Sequence, residues 1–235
     1  MGQIKVKGII IAENNMNDFD KMVTILTPNG KIGCSAKGAR KTKSLLLAGT
    51  QFLCFGEYLL FKGNETYTIN SCETIEVFYN IRNDLDKLMK ASEITKIIND
   101  VTDENQNTYN ILKLFLNTLY VISEKEKDLD LVSAIFKIRL MKILGFSPEV
   151  DKCVNCHEKE NLNYFSFKDN GFKCENCYKL DKSVYTMSEG TRKSIIYAMK
   201  ADIKKIFGVT VPENVVNELK TISKIYLEEK LEKKY

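Results

Sequence analysis

Two Cys-x-x-Cys pairs, Cys153-Val-Asn-Cys156 and Cys174-Glu-Asn-Cys177, are separated by residues 157–173. Four thiolates at this spacing suit a closed tetrahedral metal site, with each pair biting from one short turn and the intervening chain folding as a loop or hairpin. The expected ligands are Cys153, Cys156, Cys174 and Cys177, and the expected cofactor is one structural zinc ion, with no coordination position left open for catalysis. The competing readings are four cysteines that merely sit near one another, or one redox dithiol with bystanders. The matching internal spacing of both pairs favours the metal. Residues 149–182 carry six basic and seven acidic side chains, so this finger reads as a staple rather than as the main nucleic-acid contact. His157, the single histidine, flanks a ligand and reads as a bystander.

A second chemistry lies nearer the start. From Lys21 to Gly56 there is no acidic residue, but there are six basic ones, four of them in Lys37-Gly-Ala-Arg40-Lys41-Thr-Lys43. A cationic run with glycine flexibility can follow a phosphate backbone and release its counterions. Phe52, Phe55, Tyr58, Phe61 and Tyr67 follow, and a basic groove beside aromatics is the usual recipe for single-stranded nucleic acid. For the aromatics alone, ordinary strand-core packing is the simpler account. Lys37, Arg40, Lys41 and Lys43, helped by Lys5, Lys7 and Lys62, are the expected nucleic-acid contacts. Arg139 and Lys142 are set in the apolar run 138–143: either both snorkel to solvent from a core helix or, as the family resemblance set out below implies, they meet the carboxylates of an acidic partner peptide.

The elements that must position these groups fall into two periods. Residues 1–80 read as five short strands: Ile4–Ala12, Lys21–Thr27, Lys31–Ala36, Gln51–Phe61 and Tyr67–Phe78. Pro28-Asn29-Gly30 and Gly63-Asn64 supply turns, and Leu45–Ala48 could be a short helix or a turn. Five strands with an insert between the third and fourth match a closed OB-type barrel, with an SH3-like barrel as the nearest competitor. The period then becomes helical. Helices are expected from Asp84, over Tyr109–Ser123, over Leu129–Leu144, from an N-cap at Ser188 to about Phe207, and from a first-turn proline at Pro212. Gly145 and Pro148 stop the third. The fold class is therefore α+β and multi-domain: an OB-fold barrel over 1–80, then a helical domain over 81–235 with the zinc finger, 150–182, inserted.

Bulk properties set limits. The chain has 235 residues, 28 % of them charged and 44 % hydrophobic, with a formal net charge of +4. No apolar run is long enough for a membrane span, and the alternating Met1–Lys7 segment is unlike a signal peptide. Cys34, Cys54 and Cys72 remain after the metal set, an odd number that points to a reducing compartment rather than a disulfide framework. The Gly33-x-x-x-x-Gly38 spacing lacks the Lys-Ser/Thr of a phosphate-binding loop, and the cysteines lack the His-x-Glu and Pro-Cys-x-x-Cys of zinc deaminases. No catalytic triad or carboxylate pair stands out, which agrees with the non-enzymatic role that the family resemblance set out below implies.

The order barrel, helices, inserted four-cysteine finger resembles the RecO family of bacterial recombination mediators over the whole chain. Local matches are Lys5-Val-Lys-Gly8, Lys37-Gly-Ala-Arg40-Lys-x-Lys43-Ser44, Gly63-x-x-x-Tyr67-Thr68, and Arg139-Leu-Met-Lys-Ile-Leu-Gly145-Phe-x-Pro148 running into the first cysteine pair. The stretch 14–20 and the short bundle between 100 and 130 depart from it. The resemblance implies a cytoplasmic, nucleoid-associated DNA-repair protein that binds single- and double-stranded DNA and anneals complementary strands. It also implies work with RecR, engagement of the C-terminal tail of single-stranded DNA-binding protein, and help in loading RecA. The alternatives are a zinc-ribbon RNA-binding or ribosome-associated factor, a structural adaptor that binds no nucleic acid, and a metal hydrolase, which four sulfur ligands oppose.

Overall fold

The structure is a computed structural model that describes residues 2–63, 66–181 and 183–235, without the side chain of Leu180. It divides into two compact units, Met1–Leu119 and Tyr120–Tyr235, and the division falls inside a helix.

In the first unit, strands β1 (Gln3–Met16), β2 (Asp20–Thr27), β3 (Gly30–Ala36), β4 (Phe55–Lys62) and β5 (Tyr67–Glu76) close a barrel in the order β1-β2-β3-β5-β4. This is the expected OB-type barrel. All neighbours are antiparallel except β3 and β5. β1 closes the barrel by serving both edges, pairing with β4 over Gln3–Ile9 and with β2 over Ile9–Met16. It runs four residues beyond the expected Ala12 because the start of β2 is there to pair with it. Gly8 stands where β1 changes partner. A Cβ at Gly8 would lie 2.6 Å from both Ile25 Cγ2 and Leu26 O, so only glycine admits this approach. Following the register around from Gln3 through Phe61, Thr68, Ser35 and Met22 returns to β1 at Asn14, eleven residues along, or ten without the bulge at Ile11. So large a stagger on five strands means steeply tilted strands. Ile10, Val23, Ile25, Cys34, Tyr58, Leu60 and Ile69 fill the interior.

The insert after β3 is a series of hydrogen-bonded turns, not a helix. Its Ala39 and Leu46 are buried in the barrel core. β4 begins at Phe55 rather than Gln51: Leu53 is left-handed (φ 62°), although Leu53 N–H still donates to Ile10 O at 2.9 Å. β5 stops at Glu76, and left-handed Phe78 opens a short helix α1 (Tyr79–Arg82) that the sequence pattern does not announce. Arg82 ties this turn to the insert through the Gln51 side chain and Phe52 O. Of the turn expected at Gly63-Asn64, Asn64 lies outside the described residues.

α2 (Leu85–Val101) starts where Asp84 accepts the Lys87 N–H at 3.1 Å. The polar break after it receives the Pro28-Asn29-Gly30 turn: Lys31 N–H donates to Asp103 O, Thr108 N–H to Pro28 O, and Gly30 N–H to Thr108 Oγ1. Gly30 has φ 106° and no room for a Cβ, which would sit 2.5 Å from Asp103 O. α3 (Tyr109–Glu124) follows and crosses the unit division.

The second unit is built on α4 (Leu129–Ile143), capped by Asp128 accepting the Leu131 N–H, with ten of its fifteen residues buried. α5 (Glu189–Lys200) and α6 (Glu213–Leu231) pack on it. Ser188 caps α5 as expected, but the helix ends at Lys200, seven residues before Phe207. Pro212 is the N-cap of α6, with extended ψ 159°, rather than its first helical residue. Between α4 and α5 lies a three-stranded sheet of β6 (Tyr164–Ser166), β7 (Gly171–Lys173) and β8 (Val184–Thr186) in the order β7-β6-β8. Phe165 of β6 meets Tyr226 of α6 edge-on at 5.3 Å, and Tyr226 donates to Phe146 O, so finger and helices share one core. No helix among the described residues is long and apolar enough to cross a membrane.

Candidate metal centre and nucleic-acid interface

The four cysteines converge. The Sγ atoms of Cys153, Cys156, Cys174 and Cys177 all lie within 4.8 Å of one another, and Cys156 and Cys174 are 3.5 Å apart. Tetrahedral M–S bonds of about 2.3 Å require S···S separations of about 3.8 Å, so the cluster fits one ion. Each pair sits in a tight turn: His157 N–H donates to Cys153 O at 3.0 Å, and Tyr178 N–H to Cys174 O at 3.2 Å. His157 is exposed in a left-handed conformation and outside the cluster.

The thiol chemistry asks for a cation. Burial pushes the Cys153 thiol up, but the backbone N–H groups of Cys156, Cys174 and Asn155 outweigh it and bring the thiol down to about 6. Cys177, hydrogen-bonded to Cys156 and also desolvated, is pushed up to about 12. Four sulfurs this close cannot ionise together unless a positive ion joins them. Among the described residues no other group of His, Cys, Asp and Glu is placed to hold a metal.

The second knuckle has a built support. Lys173, 2 % exposed, lies 2.5 Å from Asp169 and 2.8 Å from Asp181. Asp181 also accepts from Ser166 Oγ and from the Ser183 N–H. The chain from 173 to 181, which carries Cys174 and Cys177, is thus closed by an ion pair. Beside it Tyr164 and Tyr178 stack in parallel with centroids 3.9 Å apart.

The basic insert lies against the β1–β2 turn. Arg40 N–H donates to Phe19 O at 2.9 Å, Arg40 Nη1 to Asn17 O at 3.2 Å, and Gly38 N–H to the Asp20 carboxylate at 2.7 Å. The Lys41 ammonium sits 5.5 Å over the Phe19 ring. Lys37, Arg40, Lys41 and Lys43 are all exposed, as a backbone-binding surface needs. Two open hollows flank this contact, one edged by Glu13, Asn14, Asn15, Lys21 and Arg40, the other by Asn17, Asp18, Phe19, Asp20, Lys37 and Lys41.

The other three expected cations are disposed differently. Lys5 is paired with Glu57 at 2.5 Å, Lys7 lies over the Phe55 ring, and Lys62 is exposed at the end of β4. The expected aromatic platform also divides. Tyr58 is wholly buried, donating to Gly49 O and Cys54 O, and so cannot stack on a base. Phe61 is 41 % exposed. Sequence reasoning missed Phe19, which is 51 % exposed at the heart of the basic contact, and missed the acidic neighbours Asp18 and Asp20. The signal was an aromatic residue among turn formers at 17–20.

Arg139 and Lys142 work inside the second unit. Arg139 donates to Ala198 O, Met199 O and Ala201 O at 2.7–3.0 Å, and Lys142 to Met199 O at 2.7 Å. Cations on the last carbonyls of a helix satisfy its orphan acceptors and oppose its dipole. This is why α5 ends early, and it gives both side chains a structural task.

Comparison with known proteins places the whole chain among relatives. The profile for the N-terminal part of Recombination protein O matches residues 1–78, and that for its C-terminal part matches 82–235. DNA repair protein RecO of Acetivibrio thermocellus is 43 % identical over 237 residues, covering 100 % of this chain and 94 % of that protein. Those of Alkaliphilus metalliredigens and Bacillus pumilus are 32 % and 30 % identical, covering 95 % and 96 % of this chain and 92 % and 88 % of theirs.

Proposed function

Because the chain belongs to the RecO family, we propose that it is a DNA-binding mediator of recombinational repair, not an enzyme. It anneals complementary single strands and, with RecR, helps RecA load onto DNA coated by single-stranded DNA-binding protein. The observation that carries the DNA reading is the exposed set Lys37, Arg40, Lys41 and Lys43 on the insert of an OB-type barrel, held against the β1–β2 turn. OB barrels use the loops of this end for oligonucleotides. Lys62 extends the set, while Lys5 and Lys7 contribute less because Glu57 and Phe55 already engage them. The cysteine cluster holds zinc, the ion that four thiolates with no open position suit best, and its role is to fold the finger. The acidic tail of single-stranded DNA-binding protein meets the second unit near Lys142, whose residue remains exposed. The protein works in the cytoplasm, on the nucleoid.

The test is binding against salt. Each phosphate neutralised adds roughly 0.7 to the log–log salt slope for single strands and roughly 0.9 for duplex. Arg40→Ala/Lys41→Ala should weaken both similarly at all sequences and lower the slope by one to two such steps. Unchanged affinity and slope would place the DNA elsewhere. Duplex formation from two complementary strands coated with single-stranded DNA-binding protein then tests annealing.

A further inference from the structure

We infer that Phe19 is a stacking platform for one unpaired base, so that the β1–β2 turn reads the single-stranded state of the DNA while the insert holds its phosphates. This rests on the DNA-binding reading above. Phe19 is 51 % exposed, at the tip of a turn that the insert bonds at three points. Its own carbonyl accepts the Arg40 N–H, Asn17 O accepts Arg40 Nη1, and Asp20 accepts the Gly38 N–H. The left-handed Asn17 (φ 48°) turns the chain so that the ring stands beside the insert. The Lys41 ammonium lies 5.5 Å over the ring, so a stacked base takes the opposite face or displaces the lysine. A scattered exposed aromatic needs no explanation. This one stands at the edge of a hollow of about 460 Å³ that also presents Asn17, Asp18 and Lys37.

The chemistry suits a base rather than a duplex. An aromatic face takes any base by stacking, and the flanking ammonium groups of Lys37 and Lys41 reach the adjoining phosphates. Asn17 offers an amide to a base edge, and Asp18 accepts from an exocyclic amine. A base inside a duplex has both faces occupied, so it gains nothing from Phe19. Phosphates are present in both forms, so Arg40 and Lys41 do not discriminate.

The experiment compares a 15-nucleotide single strand with the corresponding 15-base-pair duplex, by fluorescence anisotropy, for wild type, Phe19→Ala and Phe19→Trp. A second set carries 2-aminopurine in the single strand. Phe19→Ala should weaken single-strand binding about tenfold, leave duplex binding within about twofold, and abolish most of the 2-aminopurine response seen with wild type. Phe19→Trp should restore the single-strand affinity and the 2-aminopurine response. Equal loss on both DNAs would assign Phe19 to holding the insert in place, and no loss on either would leave it a bystander; each overturns the inference while the phosphate reading stands. A wild type that binds neither DNA would remove that reading itself.

Discussion

Lys173 to Met should be among the most costly single changes in the finger. The Lys173 ammonium is enclosed by Asp169 and Asp181, which are 35 % and 5 % exposed. Burial alone would raise the Asp181 carboxyl, but Lys173, Ser166 Oγ and the Ser183 N–H more than reverse this and hold it well below the usual carboxylate range. Without Lys173, Asp169 can turn to water but Asp181 cannot. One buried carboxylate then keeps two of its three donors. Removing one member of a buried pair costs about 3–5 kcal/mol, and the remaining donors place this case near 3 kcal/mol. In a unit of this size that is a fall in Tm on the order of 10 °C. The double variant Lys173→Met/Asp181→Asn should recover most of the loss, since the charge left stranded by the first change is gone. The assay is thermal unfolding of metal-loaded protein followed by circular dichroism, with metal release to a chelator as a second readout. Release should be faster in Lys173→Met, because the pair closes the segment carrying Cys174 and Cys177. A single variant within 1 kcal/mol of wild type, or a double variant no better than the single, would refute the reasoning.

Purified protein should carry one zinc per chain by metal analysis, and Cys156→Ser should carry well under one and lose finger structure, since structural zinc is worth roughly 10–16 kcal/mol in small peptides. Glu218 should show a pH-dependent contribution. It accepts from Thr191 Oγ1, Ser188 N–H and Ser188 Oγ at 2.5–2.9 Å; burial raises its carboxyl but these donors lower it further. The stability it adds is full above its unfolded value of about 4.3 and lost as pH falls below it, so the advantage over Glu218→Ala in denaturant titrations should shrink there. Gly30→Ala should cost about 2 kcal/mol or more, from a positive φ and a clash with Asp103 O, as read by urea midpoint. Arg139→Ala should destabilise by about 2 kcal/mol in the same assay through the lost α5 carbonyl contacts; full stability in that variant would contradict the capping role.

How much was legible depended on how far the cause lay along the chain. Asp84 and Ser188 announce their helices because a cap bonds to an N–H three residues away. The cysteine pairs announce a metal because each bite is local. The end of α5 was illegible because Arg139, some sixty residues earlier, supplies the donors that terminate it. The start of β4 was missed because left-handed Leu53 is held by Ile10, across the barrel. The proposed DNA interface falls between these cases. A count from Lys21 to Gly56 finds only positive charge, yet the turn folded onto that segment brings Asp18 and Asp20 beside Lys37 and Gly38. The local field is therefore weaker than the one-dimensional count suggests, and opposite charges within a Debye length of about 8 Å at physiological salt offset one another. The same turn supplies Phe19, which no count of lysines can find. Charge along the chain located the segment proposed to meet phosphate, whereas the turn paired with it carries the aromatic proposed to meet a base.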